Sequence, residues 1–511
     1  MFATTPPPTP PAAPESAFAY FRWLHDLLPE PFFQTQPFLM FFAVVAAGYW
    51  LIPRRWNTAR VWWLVVASFH FYAAWSAELA FLVTATTLAD FTLARLMDAA
   101  TRPRVRKALM LTSIGMNLGV LCYFKYQNFF LDSFNGLLTA GGYPAAFDTL
   151  KIIIPFGISF YTFEAISYAG DVYRSKLKAE RSLPHFLLFI LFVPHLVAGP
   201  IVRAGDFLRQ TRRVKRWNWV RVQVGLQLFL LGVFKKLAIA DRMAVFTDGT
   251  GLQPGPLVAP ELHNTSAIWL AVLAFSIRIY ADFSGYSDMA VGLAHLFGFK
   301  LARNFNLPYL ATNVAEFWHR WHISLSTWLR DYLFIPLGGS RGGKWATGRN
   351  LMITMTLGGL WHGAAWGYVI WGVLHGLFLI AHRAFRDWCG PRPGVRAALE
   401  SPLGTAWRVG FTFLCVSLAW VFFRPDIAGS WEILNRLFVP HGGLGLPLHN
   451  RSLWYTVLFL LACHVLVARG WWQRVWDAAP PAALGAALAV CLTAAMLLAP
   501  QTGRTFIYFT F

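Results

Sequence analysis

The chain is a succession of apolar runs close to the length that crosses a lipid bilayer. They fall near 38–52, 61–75, 80–96, 108–124, 152–169, 187–202, 219–240, 266–281, 351–362, 366–381, 406–423, 453–467 and 482–498. A helix rises about 1.5 Å per residue and the hydrocarbon core is about 30 Å thick, so roughly 20 apolar residues span it. Only 13% of the 511 residues are charged, against about 25% in soluble domains. In lipid, backbone N–H and C=O groups have no water to bond, which leaves helices as the spanning element for runs of this length. The pattern predicts an all-α polytopic membrane protein.

Basic residues stand in the short loops between runs. Arg54, Arg55 and Arg60 follow the first run, Arg102, Arg104, Arg106 and Lys107 follow the third, and further clusters lie at 209–221 and 383–396. Cytoplasmic loops carry an excess of Lys and Arg, so these loops are expected to face the cytoplasm, with the amino terminus outside. The same distribution accounts for the formal charge of +20. No basic domain stands apart from the spans, so nucleic-acid binding is not expected. Membrane lipid is the expected surrounding.

Residues 1–36 contain TTPPPTPPAAP and lack the charged and apolar regions of a secretory signal. They are expected to form a disordered, proline-rich segment. A membrane core is expected over 37–400, with further transmembrane helices at 401–511 completing the domain. Run 187–202 has basic residues on both flanks and contains Pro194, Gly199 and Pro200. Helix breakers at membrane depth are tolerated only where protein or water satisfies the freed backbone, so this run is expected to be a broken or re-entrant helix. Pro155 and Gly157 mark a second such break. The five cysteines form no CxxC pair and are expected to pack in apolar surroundings.

Two histidines carry the chemical interest. His362 lies within an apolar run, in GGLWHG, and an ionisable group there is by default a functional candidate. The glycines allow a neighbouring backbone or a substrate to come close. His322 lies in a segment with Trp318, Trp321, Trp328, Arg320 and Arg330. On residues alone this reads as an amphipathic interfacial belt, with His322 and Ser326 on one helical face. His319 and His322 have HxxH spacing, but no HExxH motif or nearby carboxylate–cysteine set accompanies them, and no metal is expected. Gly338 to Gly342 matches GxSxG by letter only, since a nucleophile elbow needs a strand before it. Arg278 and Asp282, four apart, are placed for an intrahelical ion pair. Glu164, Asp171 and Tyr173, like Asp282, Ser284, Tyr286, Ser287 and Asp288, are expected to line or brace a polar cavity. Asp331 is placed to orient an imidazole.

The pattern WHISLSTWLRDYLFIPLGG (321–339), followed by GLWHG (359–363), resembles the membrane-bound O-acyltransferase family, and within it the alginate O-acetyltransferase-like branch. PFGISFYTFEAISYAGDVYR (155–174), PHLVAGPIVR (194–203), YADFSGYSDMAVG (280–292) and NFNLPYLATNVAEFW (304–318) share the resemblance, in one fixed order. It implies the fold of that family, with about 11–13 transmembrane or re-entrant helices around a central tunnel. His362 would be the catalytic base, or else a transient acyl carrier, and His322 the second functional histidine. The implied activity moves an acetyl group from a cytoplasmic thioester, acetyl-CoA, across the bacterial inner membrane for O-acetylation of an extracellular, alginate-like polysaccharide. Acetyl-CoA would be a substrate, with no bound cofactor. Apart from the resemblance, the loop cations Arg341, Lys344 and Arg349 are placed either to meet its phosphates or simply to follow the positive-inside rule. A periplasmic acetyltransferase or polysaccharide-synthesis complex is the implied partner. Two alternatives stay open: transfer of D-alanine or another acyl group to a cell-wall polymer, and a transporter or channel without acyl-transfer chemistry.

Overall fold

The structure is a computed structural model that describes residues 33–196, 199–250 and 252–499. Most of the proline-rich segment at 1–36 therefore lies outside the described residues, as does the end of the chain from 500. Among the described residues the secondary structure is helical, with two isolated β-bridges and no strand. Eight helices are long and apolar enough to cross a membrane, or nine if one bent pair counts as a span. The protein is a multi-pass membrane protein.

Helices α1 (Gln36–Leu51) and α2 (Asn57–Trp75) form the bent pair, turned by 111°. Arg60 is buried at the bend and donates to the Ile52 carbonyl at 2.8 and 2.6 Å. Helices α3 (Ala77–Ala99) and α4 (Pro103–Leu121) are braced by Asp90, which accepts from Ser113 at 2.5 Å and Asn117 at 2.8 Å. Polar contacts of this kind join helices where lipid supplies no hydrophobic drive. Helix α4 runs through a π-helical turn, Cys122–Tyr126, into α5 (Gln127–Ala140). The 38-residue rod is about 57 Å long, nearly twice the hydrocarbon thickness, so part of it stands clear of the membrane.

Helix α6 (Ile158–Tyr173) starts only after Gly157, whose φ of 70° is left-handed. The expected break at Pro155 and Gly157 is present, and 149–155 are not helical. Run 187–202 is also broken. Helix α7 (Leu183–Leu191) stops at Phe192, a short α8 (Val193–Leu196) follows, and both are buried in protein. Nine residues rise only about 13 Å, too little to span. Glu164 of α6 fastens both sides of the break: it meets His195 Nε2 at 3.5 Å and accepts from Val202 N at 2.8 Å.

After α9 (Ala204–Thr211), α10 (Trp219–Phe234) and α11 (Asp241–Asp248) pack on α12 (Thr265–Leu296). Helix α12 has 32 residues and the most buried span. The expected Arg278–Asp282 pair is not made. Arg278 bonds Asp248 at 2.7 Å, and Asp282 lies 3.0 Å from Lys236, which also meets Asp241 at 2.7 Å. The packing of α11 and the π-helical turn at 235–240 against α12 brings closer partners than the helix's own next turn. Then follow α13 (Val314–Arg320), α14 (Ile323–Leu329), α15 (Gly343–His362) and α16 (Trp366–Cys389). The last part comprises α17 (Pro393–Glu400), α18 (Pro402–Trp420), α19 (Ile427–Phe438), α20 (Arg451–Ala468), α21 (Trp471–Ala478) and α22 (Pro481–Leu498). Helices α20 and α22 present mostly exposed apolar side chains, as lipid-facing helices do.

Helices α15 and α16 form a close antiparallel pair. A Cβ at Gly359 would lie 2.2 Å from the Tyr368 carbonyl, and one at Gly372 would lie 2.4 Å from the Met355 carbonyl. Only glycine admits this approach, and it fixes the end of α15.

Candidate active site

Residues 316–334, expected as one amphipathic segment, are broken in the middle. Helix α13 opens on an Asn313 cap, whose side chain accepts from Glu316 N at 2.8 Å, and it ends at Arg320. His322 then takes φ 40° and ψ 56°, a left-handed conformation, at the start of α14. That region is costly for a residue with a Cβ, and such strain clusters at functional sites. Asn304 holds the break open. Its carbonyl accepts from Ile323 N at 2.9 Å and its side chain accepts from Ser324 Oγ at 2.6 Å. The Asn304 amide in turn donates to Ser287 of α12 at 3.2 Å, and Ser324 Oγ accepts from Ile201 N at 3.0 Å.

The interfacial belt expected here is not formed. Trp321 and His322 have no exposed area, and Trp318 and Trp328 are buried. The tryptophans pack against neighbouring elements: Trp328 stacks on Phe163 of α6 at 3.7 Å, and Trp321 lies 5.1 Å from Trp420 of α18. His322 and Ser326 do not share a helical face, because His322 lies outside α14 and Ser326 Oγ bonds the Trp321 carbonyl at 3.1 Å. His319 points away and is exposed, with Nδ1 on the Ala315 carbonyl, so the HxxH pair does not converge. Among the described residues no group of His, Cys, Asp or Glu is placed to hold a metal ion.

His362 is the last residue of α15. The last carbonyls of a helix have no partner within it, and its C-terminus favours a cation. Lys125, from the π-helical turn, meets both requirements. Its ammonium donates to the carbonyls of Trp361 at 2.7 Å and His362 at 3.0 Å, and contacts Ser159 Oγ at 3.2 Å. Tyr126 donates to the Leu360 carbonyl at 2.9 Å, and Trp361 donates to the Ser159 carbonyl at 3.2 Å.

These arrangements bring the two imidazoles together, with ring centres 6.3 Å apart. The rings are walled by aromatic side chains. Phe283 is 4.6 Å from His322, while Trp361, Trp371 and Phe423 lie 5.0 to 5.1 Å from His362. Both nitrogens of His322 lack a hydrogen-bond partner among the described residues, as do the nearby Trp321 and Trp371 indoles. Buried polar groups are ordinarily paired, and these nitrogens are available to bond a ligand or water. His322 is fully buried and His362 is 3% exposed, so the passage implied by the resemblance is closed at the histidines by aromatic packing. A cavity of about 970 Å³ opens just beyond, lined by Lys125, Asn128, Asp132, Ala365, Trp366 and Tyr368 among others.

Arg341, Lys344 and Arg349 stand at the opposite end of α15. Lys344 lies 18 positions from His362, about 27 Å along the helix. Lys344 pairs with Asp387 at 3.5 Å, and Arg349 bonds Asn350 at 3.1 Å. The GxSxG look-alike forms exposed turns with no strand before it. Asp331 orients no imidazole. Its carboxylate pairs with Arg330 at 2.8 Å and Arg203 at 3.3 Å, because the π-helical turn 330–334 carries it away from the rings. Asp171 and Glu164 act as braces: Tyr332 donates to Asp171 at 2.8 Å, and Glu164 holds the α7–α8 break. Cys122 is exposed, Cys389 is buried and the other three cysteines are intermediate.

Sequence reasoning missed Lys125, Asn304 and His375. Lys125 is a lone cation at the end of an apolar run, and that was its available signal. His375 is fully buried one turn beyond Trp371 and accepts from the Trp318 indole at 3.3 Å.

The model of the membrane-bound O-acyltransferase family matches residues 173–392. The probable alginate O-acetylase AlgI of Pseudomonas aeruginosa is 40% identical over 410 residues, covering 80% of this chain and 74% of that protein. The chain belongs to the membrane-bound O-acyltransferase family. The probable alginate O-acetylase AlgI of Azotobacter vinelandii is similar at 40% identity, covering 80% of this chain and 78% of the relative. A peptidoglycan O-acetyltransferase of Helicobacter pylori is 38% identical over 73% of this chain and 72% of its own length. The matched region contains both histidines, and the protein is an O-acyltransferase.

Proposed function

We propose that this O-acyltransferase takes an acetyl group from a cytoplasmic thioester, acetyl-CoA, and delivers it across a bacterial inner membrane to a hydroxyl on the other face, for O-acetylation of an exported, alginate-like polysaccharide. The observation that carries this reading is the pairing of His322 and His362 at 6.3 Å beside a large cavity. The names of the relatives support acetyl transfer to a glycan. In the transfer, a ring nitrogen of His362 takes the proton of the acceptor hydroxyl. The freed oxygen attacks the thioester carbonyl, the C–S bond breaks, and the leaving thiolate recovers the proton. His322, from the opposite wall, hydrogen-bonds the carbonyl oxygen as negative charge builds there. Arg341, Lys344 and Arg349 meet the phosphates of the donor on the cytoplasmic face, and a periplasmic acetyltransferase completes delivery to the polymer. Access requires the aromatic packing around the rings to open.

The test is the O-acetyl content of extracellular glycan in cells carrying the wild type or His362→Ala, with protein level in the membrane measured in parallel. Loss of acetylation at unchanged protein level is expected. Normal acetylation in the variant would refute the assignment of His362.

A further inference from the structure

A second cavity, of about 480 Å³, lies between the loop that joins α9 to α10 and the C-terminal end of α12. Arg213, Lys215, Arg216, Arg221, Lys300 and His295 line it, and no carboxylate does. None of these five Lys and Arg side chains has an acidic partner among the described residues, whereas neighbouring Arg209 and Arg212 pair with Asp206 and Glu180.

The wall is built rather than merely crowded with loop cations. The Arg60 guanidinium, buried at the α1–α2 bend, donates to the Lys215 carbonyl at 3.1 Å. Arg221 donates to the Gly298 carbonyl at 2.9 Å. Lys215 is only 7% exposed, and its ammonium lies 4.6 Å from the Phe299 ring centre, with no hydrogen-bond acceptor in reach among the described residues. Five cations with no carboxylate among them repel one another across a confined space, and an anion bound there relieves that repulsion. Excess cations in a cytoplasmic loop follow from the positive-inside rule, but that rule explains neither the burial of Lys215 nor a cavity formed around it. Trp50 and Trp217 pack edge to face at 5.1 Å beside it, and Trp219 is exposed.

We infer that this cavity binds a ligand carrying clustered phosphate esters, held by Lys215, Lys300 and the arginines around them. Two sources present that chemistry: a diphosphate lipid headgroup of the cytoplasmic leaflet, for which basic pockets between helix ends are suited, and the nucleotide phosphates of a coenzyme A donor. Only the second rests on the acyl-transfer reading above, and it places the donor phosphates here in place of Arg341, Lys344 and Arg349.

Equilibrium binding to the purified full chain in detergent separates them, with cardiolipin and coenzyme A as probes. Three proteins are compared: the wild type, Lys215→Gln/Lys300→Gln, and a control pair, Arg104→Gln/Lys107→Gln, in a different basic loop. The expected result is that one probe binds wild type and control alike and binds the Lys215→Gln/Lys300→Gln protein at least about tenfold more weakly. Lys215→Arg/Lys300→Arg, which keeps the charge, retains that binding. Loss for cardiolipin assigns the headgroup, and loss for coenzyme A assigns the donor. Absence of wild-type binding to both probes, equal affinities in all three proteins, or equal weakening by the control pair would overturn the inference. Acetyl transfer is measured separately on the same proteins, so failure of this site and failure of the acyltransferase reading are distinguishable.

Discussion

His322 and His362 come from different segments of the chain, yet their rings lie with centres 6.3 Å apart and planes tilted by 57°. The Asn304 latch and the left-handed turn aim one ring, and the end of α15 aims the other. If they serve one reacting centre, their losses are not independent. His362→Ala is expected to lower acetyl transfer by about 10²–10⁴-fold, the usual contribution of a general base. His322→Ala is expected to cost roughly 10²–10³-fold, as loss of a donor to a developing oxyanion does. The double variant should fall little below His362→Ala, since groups acting as a unit are not additive. Rates multiplying independently would separate the two roles.

Lys125 holds the carbonyls of Trp361 and His362, so it positions the ring without contacting substrate through it. Lys125→Met is expected to reduce kcat by up to about 10²-fold, the cost of a displacement near 1 Å, with the donor KM little changed. Lys125→Arg keeps the cation and should restore part of the loss. A Met variant with normal kcat, measured alongside membrane protein level, would contradict the positioning role.

Gly359 and Gly372 set the spacing of α15 and α16. Gly359→Ala places a methyl 2.2 Å from the Tyr368 carbonyl, which backbone cannot easily avoid. Overpacking of this kind costs about 1–3 kcal/mol. A lowered thermal midpoint in detergent is expected, together with reduced transfer. Gly136, where a Cβ meets nothing within 4 Å, should tolerate alanine in the same assay.

Phosphate binding at the second cavity is expected to depend on pH. Burial, with Arg221 and Arg213 nearby, pushes the Lys215 amine down from 10.5 to about 8. The other groups facing it are Arg216, Lys300, His295 from α12 and Arg60 from α2. A bound phosphate favours the protonated amine, so affinity should be greatest below pH 8 and fall as pH rises through it. Lys215→Arg should remove that fall between pH 7 and 9. The check is a pH series with whichever probe binds.

The helical, multi-pass class, the breaks at Pro155 and Pro194, and the prominence of His362 were legible in the sequence, because they depend on local apolar runs and on the incompatibility of proline with a helix interior. His322 stood out only through the family resemblance, and of thirteen apolar runs eight or nine correspond to helices long and apolar enough to span. Partner choice was not. Spacing offered Asp282 to Arg278, but Lys236 lies 46 positions earlier in the chain and reaches Asp282 across the helix packing. Trp318, Trp321 and Trp328 had the periodicity of an interfacial belt, and composition cannot say whether a tryptophan faces headgroups or another helix. The left-handed turn at His322 had no local signal, since Asn304, which holds it, is 18 positions away and is fixed in place by α12.

The central claim is that the paired imidazoles carry acyl transfer. Its most direct measurement is release of free coenzyme A from acetyl-CoA, with labelled acetyl appearing on a hydroxyl acceptor, by the purified protein in lipid vesicles. Wild type is predicted to consume thioester and form acetyl ester in equal amounts, while His362→Ala, equally folded by thermal midpoint, does both at least about 10²-fold more slowly. Equal turnover by the two proteins would contradict the account.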